Sequence, residues 1–136
     1  MTRNGGGAFR LDLRVYWEDT DAGGIVYHAN YLRFMERART EWLRRLGVEQ
    51  QRWRETTGML FVVTDIKLRL MQPAQLDDLI SVTVAVAERG RASIWLAQEV
   101  LRQGQALCTG QVRVACVEAE TLRPRRLPPG IVNGEP

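Results

Sequence analysis

The sequence predicts an α+β domain in which one long helix packs on an antiparallel sheet. Three observations point there. Apolar residues recur at steps of three and four from Tyr31 to Leu46, the period of an amphipathic helix. Four later runs alternate with period two and are joined by turn-like segments, as successive hairpin strands are. One more strand-like run precedes the helix, so the order is β, α, then four β, and the helix must bury its wide apolar face against the sheet.

Met1 to Ala8 is polar and glycine-rich and reads as a disordered tail, with a single folded domain from residue 9 to 130 and a C-terminal tail from 131 to 136. Phe9 to Trp17 is the first strand-like run. In the helix, Tyr31, Leu32, Met35, Ala38, Trp42, Leu43 and Leu46 form the buried face. Asn30 is placed as its N-cap and Gly47 as its terminator. Glu41 and Arg45 are spaced as a favourable i,i+4 pair, worth roughly 0.2–0.5 kcal/mol.

After a polar segment, Val48 to Gly58, the period changes. Met59 to Leu70 puts Leu60, Val62, Thr64, Ile66, Leu68 and Leu70 on one face, and Met59, Phe61 and Val63 on the other. The early half of that strand is therefore expected to be buried on both sides, a sign of a subunit contact. Asp77 and Asp78 open the next strand, with Ile80, Val82, Val84 and Val86 alternating. Arg89-Gly90 is a turn, and Ala92 to Leu101 and Ala106 to Val117 are two further strands around Gln103-Gly104. Arg123-Pro124-Arg125-Arg126 marks the departure of the chain from the sheet.

A chain of 136 residues with 45% hydrophobic and 26% charged residues is ordinary for one soluble domain. No apolar run approaches the roughly 20 residues that cross a bilayer, and the N-terminus lacks a secretory apolar core, so the expected location is the cytoplasm. The net charge of +3 is dispersed, and Lys67 is the lone lysine, which excludes most lysine chemistry. Cys108 and Cys116 share one strand face and read as free core thiols rather than a zinc pair.

The densest chemistry lies between strand and helix, in EDTDAGGIVYHANY, Glu18 to Tyr31. This run holds Glu18, Asp19, Asp21, two adjacent glycines and the sole histidine, His28. Its amides gather near a helix N-terminus, which favours anions and developing negative charge. A calcium loop starting at Asp19 fails, because Gly23 stands at its fifth position and Asn30 at its twelfth. A zinc site from Asp19, Asp21 and His28 lacks a second histidine or a nearby thiol, and no phosphate-binding glycine loop is present. No metal is expected.

The segment VYWEDTDAGGIVYHANYLRFMERARTEWL, Val15 to Leu43, resembles the 4-hydroxybenzoyl-CoA thioesterase family of hotdog-fold proteins. Within that family it is most similar to the YbgC-type acyl-CoA thioesterases associated with the Tol-Pal system. The resemblance implies a five-stranded antiparallel sheet wrapped around one long helix, with dimers joined edge to edge and often homotetramers. It implies hydrolysis of acyl-CoA to the acid and free coenzyme A, with no cofactor beyond the coenzyme A of the substrate. It places the catalytic aspartate at Asp21 and a thioester-polarising backbone N–H at His28, whose side chain also belongs to the site in the YbgC branch. Ala22 and His28 stand where 4-hydroxybenzoyl-specific members carry a proline and an aromatic residue, which favours a short aliphatic acyl group.

An ionised Asp21 can attack the thioester carbonyl or activate a water, and spacing alone leaves it equally a turn or capping residue. His28 reads either as a residue at a helix start or as an acyl-binding or proton-transferring side chain. Gly24 allows close approach of a ligand, and Tyr27 is a packing residue placed against the substrate. Arg125 and Arg126, or Arg89 and Arg91, are candidates for the phosphates of coenzyme A. Gly58 to Val63 is the candidate cross-subunit wall. Two other readings stand beside this one: a module binding nucleic acid or an acidic partner, for which salt-sensitive retention on DNA or RNA is the mark, although no nucleic acid is expected, and a dehydratase-like hotdog enzyme using His28 as base.

Overall fold

The computed structural model describes residues 9–133; the expected N-terminal tail and residues 134–136 lie outside the described residues. Chain order is β1 (Phe9–Arg14), a single 3-10 turn (Trp17–Asp19), α1 (Asn30–Arg45), α2 (Gln50–Thr57), β2 (Met59–Leu70), β3 (Leu79–Arg89), β4 (Ser93–Arg102), β5 (Gln105–Glu118) and α3 (Pro129–Asn133). The five strands form one antiparallel sheet in the order β1-β3-β4-β5-β2, which is the α+β, five-stranded hotdog arrangement expected. Among the described residues no helix is long and apolar enough to cross a membrane.

Helix α1 lies over β1, β3 and β4. Its buried stripe is Tyr31, Phe34, Met35, Ala38, Trp42 and Leu43, packed on Ile80, Val82, Val84, Ile94, Leu96, Val100, Val112 and Val114. Gly110 is the close approach between helix and sheet: a Cβ there would sit 2.9 Å from Met35 Sδ and Cε. Gly47, at φ 92°, ends the helix as expected, and its N–H donates to Arg44 O while Val48 N–H reaches Leu43 O.

Four local expectations are corrected. Ala29, not Asn30, caps α1, because the Asn30 side chain turns inward to Asp19. Glu41 pairs with Arg44 at 3.4 Å rather than with Arg45, whose guanidinium sits 5.1 Å over the Phe9 ring. The polar segment after α1 contains a helix, α2, which buries no residue fully and is tethered by Trp53 stacked on Phe61 at 4.6 Å. In β2 a bulge between Val63 and Asp65 breaks the alternation, with Thr64 as the extra residue and its hydroxyl donating to Asp65 Oδ1. Phe61 and Val63 therefore share the inner face with Ile66, Leu68 and Leu70, and Leu60 and Val62 turn outward.

Strand β2 has one edge unpaired, and Val63, Ile66 and Leu70 stay exposed on it. Ordered structure continues past residue 130, where the sequence places the end of the domain: Ile131 in α3 is 1% exposed and joins the core.

Both cysteines are free and buried. Burial pushes the Cys108 thiol up to about 11 and raises that of Cys116. The native protein should therefore resist thiol reagents at neutral pH and expose both thiols only on unfolding. The sign for stability follows from linkage: the unfolded chain loses these protons near pH 8.5, before the folded one does. This contribution is complete below that pH and is lost as pH rises toward 11. Thermal melts at increasing pH check it, and Cys108→Ala should flatten the decline.

Candidate active site

The chain leaves β1 through the 3-10 turn and folds the motif back on itself. Thr20 pairs with Val26 and Ile25 with Gln75, so the segment forms a small hairpin against the connection that follows β2. At its tip Asp21 N–H donates to Ile25 O and Gly24 N–H to Asp21 O. That turn requires the φ of 80° at Gly24, where a side chain would be strained. Gly23 N–H donates to Asp21 Oδ1 at 2.9 Å, which orients the carboxylate and leaves Oδ2 without a partner among the described residues.

The hairpin is anchored on both sides. Val26 N–H donates to Ala74 O, and Ala74 N–H donates to the Tyr31 hydroxyl at 3.0 Å. Burial raises the Tyr31 phenol pKa, opposed by that hydrogen bond. Asp19, 4% exposed, accepts from Asn30 Nδ2 and from Tyr16 N–H. These ties bring Asp21, Ile25, Val26, His28 and Tyr31 together with Leu70, Met71, Gln72 and Pro73 around one open groove of about 290 Å³.

His28 lies just before α1, its imidazole exposed and tilted against the Tyr27 ring at 4.6 Å. Tyr27 N–H is taken by Asp19 O and Asn30 N–H by Tyr27 O, but the His28 N–H has no acceptor among the described residues. With both residues lining one groove, a free amide at a helix start can receive an acyl carbonyl oxygen while a carboxylate with a free oxygen acts on its carbon. No group of three or more His, Cys, Asp or Glu side chains that could hold a metal ion occurs among the described residues.

Asp21 and His28 thus meet in the groove, while Gly24 and Tyr27 sit in the hairpin beside it rather than in its lining. Arg125 and Arg126 are not brought to it. They follow β5, whose Glu118 pairs with Met59 at one end of β2, whereas the groove adjoins Leu70 at the other. Twelve strand residues at about 3.3 Å each separate the two ends by roughly 36 Å. Arg125 instead pairs with Glu118 at 2.9 Å, and the hydrogen bond from the Thr121 hydroxyl, followed by that from Arg125, holds the Glu118 carboxyl below its usual range. Arg91 is at the same far end, its carbonyl accepting from Leu127 N–H. The Met71-Gln72-Pro73 wall carries no periodic or motif signal in the sequence.

The chain from residue 15 to 134 matches the family model described as the thioesterase-like superfamily. It is 44% identical to the acyl-CoA thioesterase YbgC of Haemophilus influenzae, over 88% of each chain. It is 40% identical to the acyl-CoA thioester hydrolase YbgC of Escherichia coli O6:H1, over 91% of this chain and 92% of that one. Among solved structures, a probable thioesterase from Bartonella henselae superposes with a TM-score of 0.84 at 34% identity, covering 89% of this chain and 99% of the other.

Proposed function

Because the chain belongs to the thioesterase-like superfamily, we propose that it hydrolyses acyl-CoA thioesters to the free acid and coenzyme A. The observation that carries the reading is the pairing, in one groove, of the Asp21 carboxylate with the unbonded His28 amide at the start of α1. The amide receives the thioester oxygen as it gains negative charge, with the positive end of the helix behind it. Asp21 acts on the carbonyl carbon by one of two balanced routes. It attacks directly, expelling the coenzyme A thiolate and forming a mixed anhydride that water then cleaves, or it takes a proton from a water that attacks. Neither route draws on a metal or redox group.

Ala22 and His28 support a short aliphatic acyl chain as substrate. The exposed apolar edge of β2 supports a homodimer joined along that strand, and from it a tetramer. Antiparallel pairing of two β2 edges would carry the Met59 end of one copy toward the Leu70 end of the other. In that assembly Arg125 and Arg126 of a second copy approach the groove and can meet the phosphates of coenzyme A. Cytoplasmic location and a link to the Tol-Pal system belong to the same reading and rest on the YbgC resemblance.

Release of free thiol from a panel running from acetyl-CoA to palmitoyl-CoA, with 4-hydroxybenzoyl-CoA included, tests this. The highest kcat/KM is expected on the short aliphatic members, and a raised KM with unchanged kcat in Arg125→Ala with Arg126→Ala. No turnover on any thioester would reject the activity, and a preference for the aromatic substrate would reject the aliphatic assignment.

A further inference from the structure

Asp19 is a buried carboxylate that the reaction as described does not use. It is 4% exposed, and among the described residues no cation lies within ion-pair distance of it. Burying such a group is costly unless its oxygens are bonded, and both are. Oδ2 accepts from Tyr16 N–H at 2.8 Å and Oδ1 from Asn30 Nδ2 at 2.9 Å, and Asn30 is itself 5% exposed. The Asp19 carbonyl accepts a third bond, from Tyr27 N–H at 3.0 Å. One residue therefore grips the segment entering the motif at Tyr16 and the segment leaving it at Tyr27 and Asn30. Between these points stand Asp21, two residues after Asp19, and His28, bracketed by the two tied residues Tyr27 and Asn30.

Building on the thioesterase reading, we infer that Asp19 and Asn30 form a buried clamp that sets the spacing between the Asp21 carboxylate and the His28 N–H. Asp19 is a positioning residue. It touches no substrate, and its carboxylate is suited to the task because two oxygens meet two donors, where an amide offers one. The start of α1 also favours a negative charge beside it. Loss of the clamp displaces one reacting group relative to the other, and misplacement of about 1 Å can cost on the order of 10²-fold in rate.

The test uses the full chain carrying Asn30→Asp, which sets two carboxylates face to face, and the double variant Asn30→Asp with Asp19→Asn, which restores an amide–carboxylate bond in the reverse sense. In Asn30→Asp, kcat should fall ~100-fold with KM little changed, and the hydrogen-bonded Tyr27 and residue-30 amides should exchange with solvent at least about tenfold faster. The double variant should regain most of both. Asn30→Ala, which removes the donor without adding charge, carries the same two readouts if Asn30→Asp does not fold. A folded variant lacking the bond but keeping wild-type kcat and amide protection overturns the clamp, and so does a folded double variant that regains neither. Amide exchange is read without substrate, so it decides the clamp even if the unaltered protein releases no coenzyme A, a result that rejects the thioesterase reading instead.

Discussion

Asp21→Asn is expected to abolish most acyl-CoA hydrolysis while leaving the fold intact. The side chain is exposed at the tip of a hairpin, and its one internal bond is the one that Oδ1 accepts from Gly23 N–H. Asparagine keeps that oxygen and the shape of the turn, so only the negative charge is lost. Without it the residue neither attacks a carbonyl nor takes a proton from water, and the expected loss in kcat is roughly 10²–10⁴-fold. KM should change little, because the amide at His28 and the apolar groove wall remain. Thiol release measured beside a thermal melt separates chemistry from folding: an unchanged melt with a collapsed kcat is the expected pair. Full activity in Asp21→Asn would falsify the assignment of Asp21.

Phe34→Ala is expected to give the largest loss of stability. Phe34 is fully buried in the second turn of α1, its ring edge-on to Tyr31 at 6.1 Å. Truncating a buried Phe typically costs about 3–5 kcal/mol, from lost transfer energy and the cavity left behind. Against a typical total of about 5–15 kcal/mol, that is a large share. The melting temperature should drop by roughly 10–20 °C. The damage also reaches the groove, since Tyr31 loses the ring against which it packs, and its hydroxyl holds Ala74 in place. A melt indistinguishable from that of the unaltered protein would show that the helix–sheet contact does not depend on this ring.

Phe34 and the β2 bulge show where sequence reading is exact and where it slips. Helix and strands are legible because burial on one side leaves a period of 3.6 or 2 in the residues themselves. Met59 to Leu70 is bounded correctly for that reason, yet its faces are misassigned, because one extra residue at Thr64 inverts the alternation with no mark in the local pattern. Phe34 is missing from the expected buried stripe, and the sequence places Leu32, only half-buried, in it instead. The helix face that meets the sheet is chosen by how α1 sits over β1, β3 and β4, which its own period does not specify.

The site divides along the same line. That Asp21 and His28 line one groove is legible because both stand in one short segment whose DTDAGGIVYHANY pattern resembles a known family. Asn30 is misread as a cap because the sequence contains a capping residue type at a helix start, whereas its true partner, Asp19, lies eleven positions earlier and is reached only when the hairpin closes. Arg125 and Arg126 are attractive on charge alone, but the register of β2 on β5 puts them at the opposite end of the sheet.

By itself, then, the sequence determined the α+β class, the order and period of the long helix and the five strands, and the candidate segment with its aspartate and histidine, since each is written in neighbouring residues. The tertiary structure alone decided the inner face of β2, the Met71–Pro73 wall of the groove, the unbonded amide of His28 and the Asp19–Asn30 clamp. Those depend on hydrogen bonds and packing between segments far apart in the chain, and which donors remain free is settled only once all the others have found their acceptors.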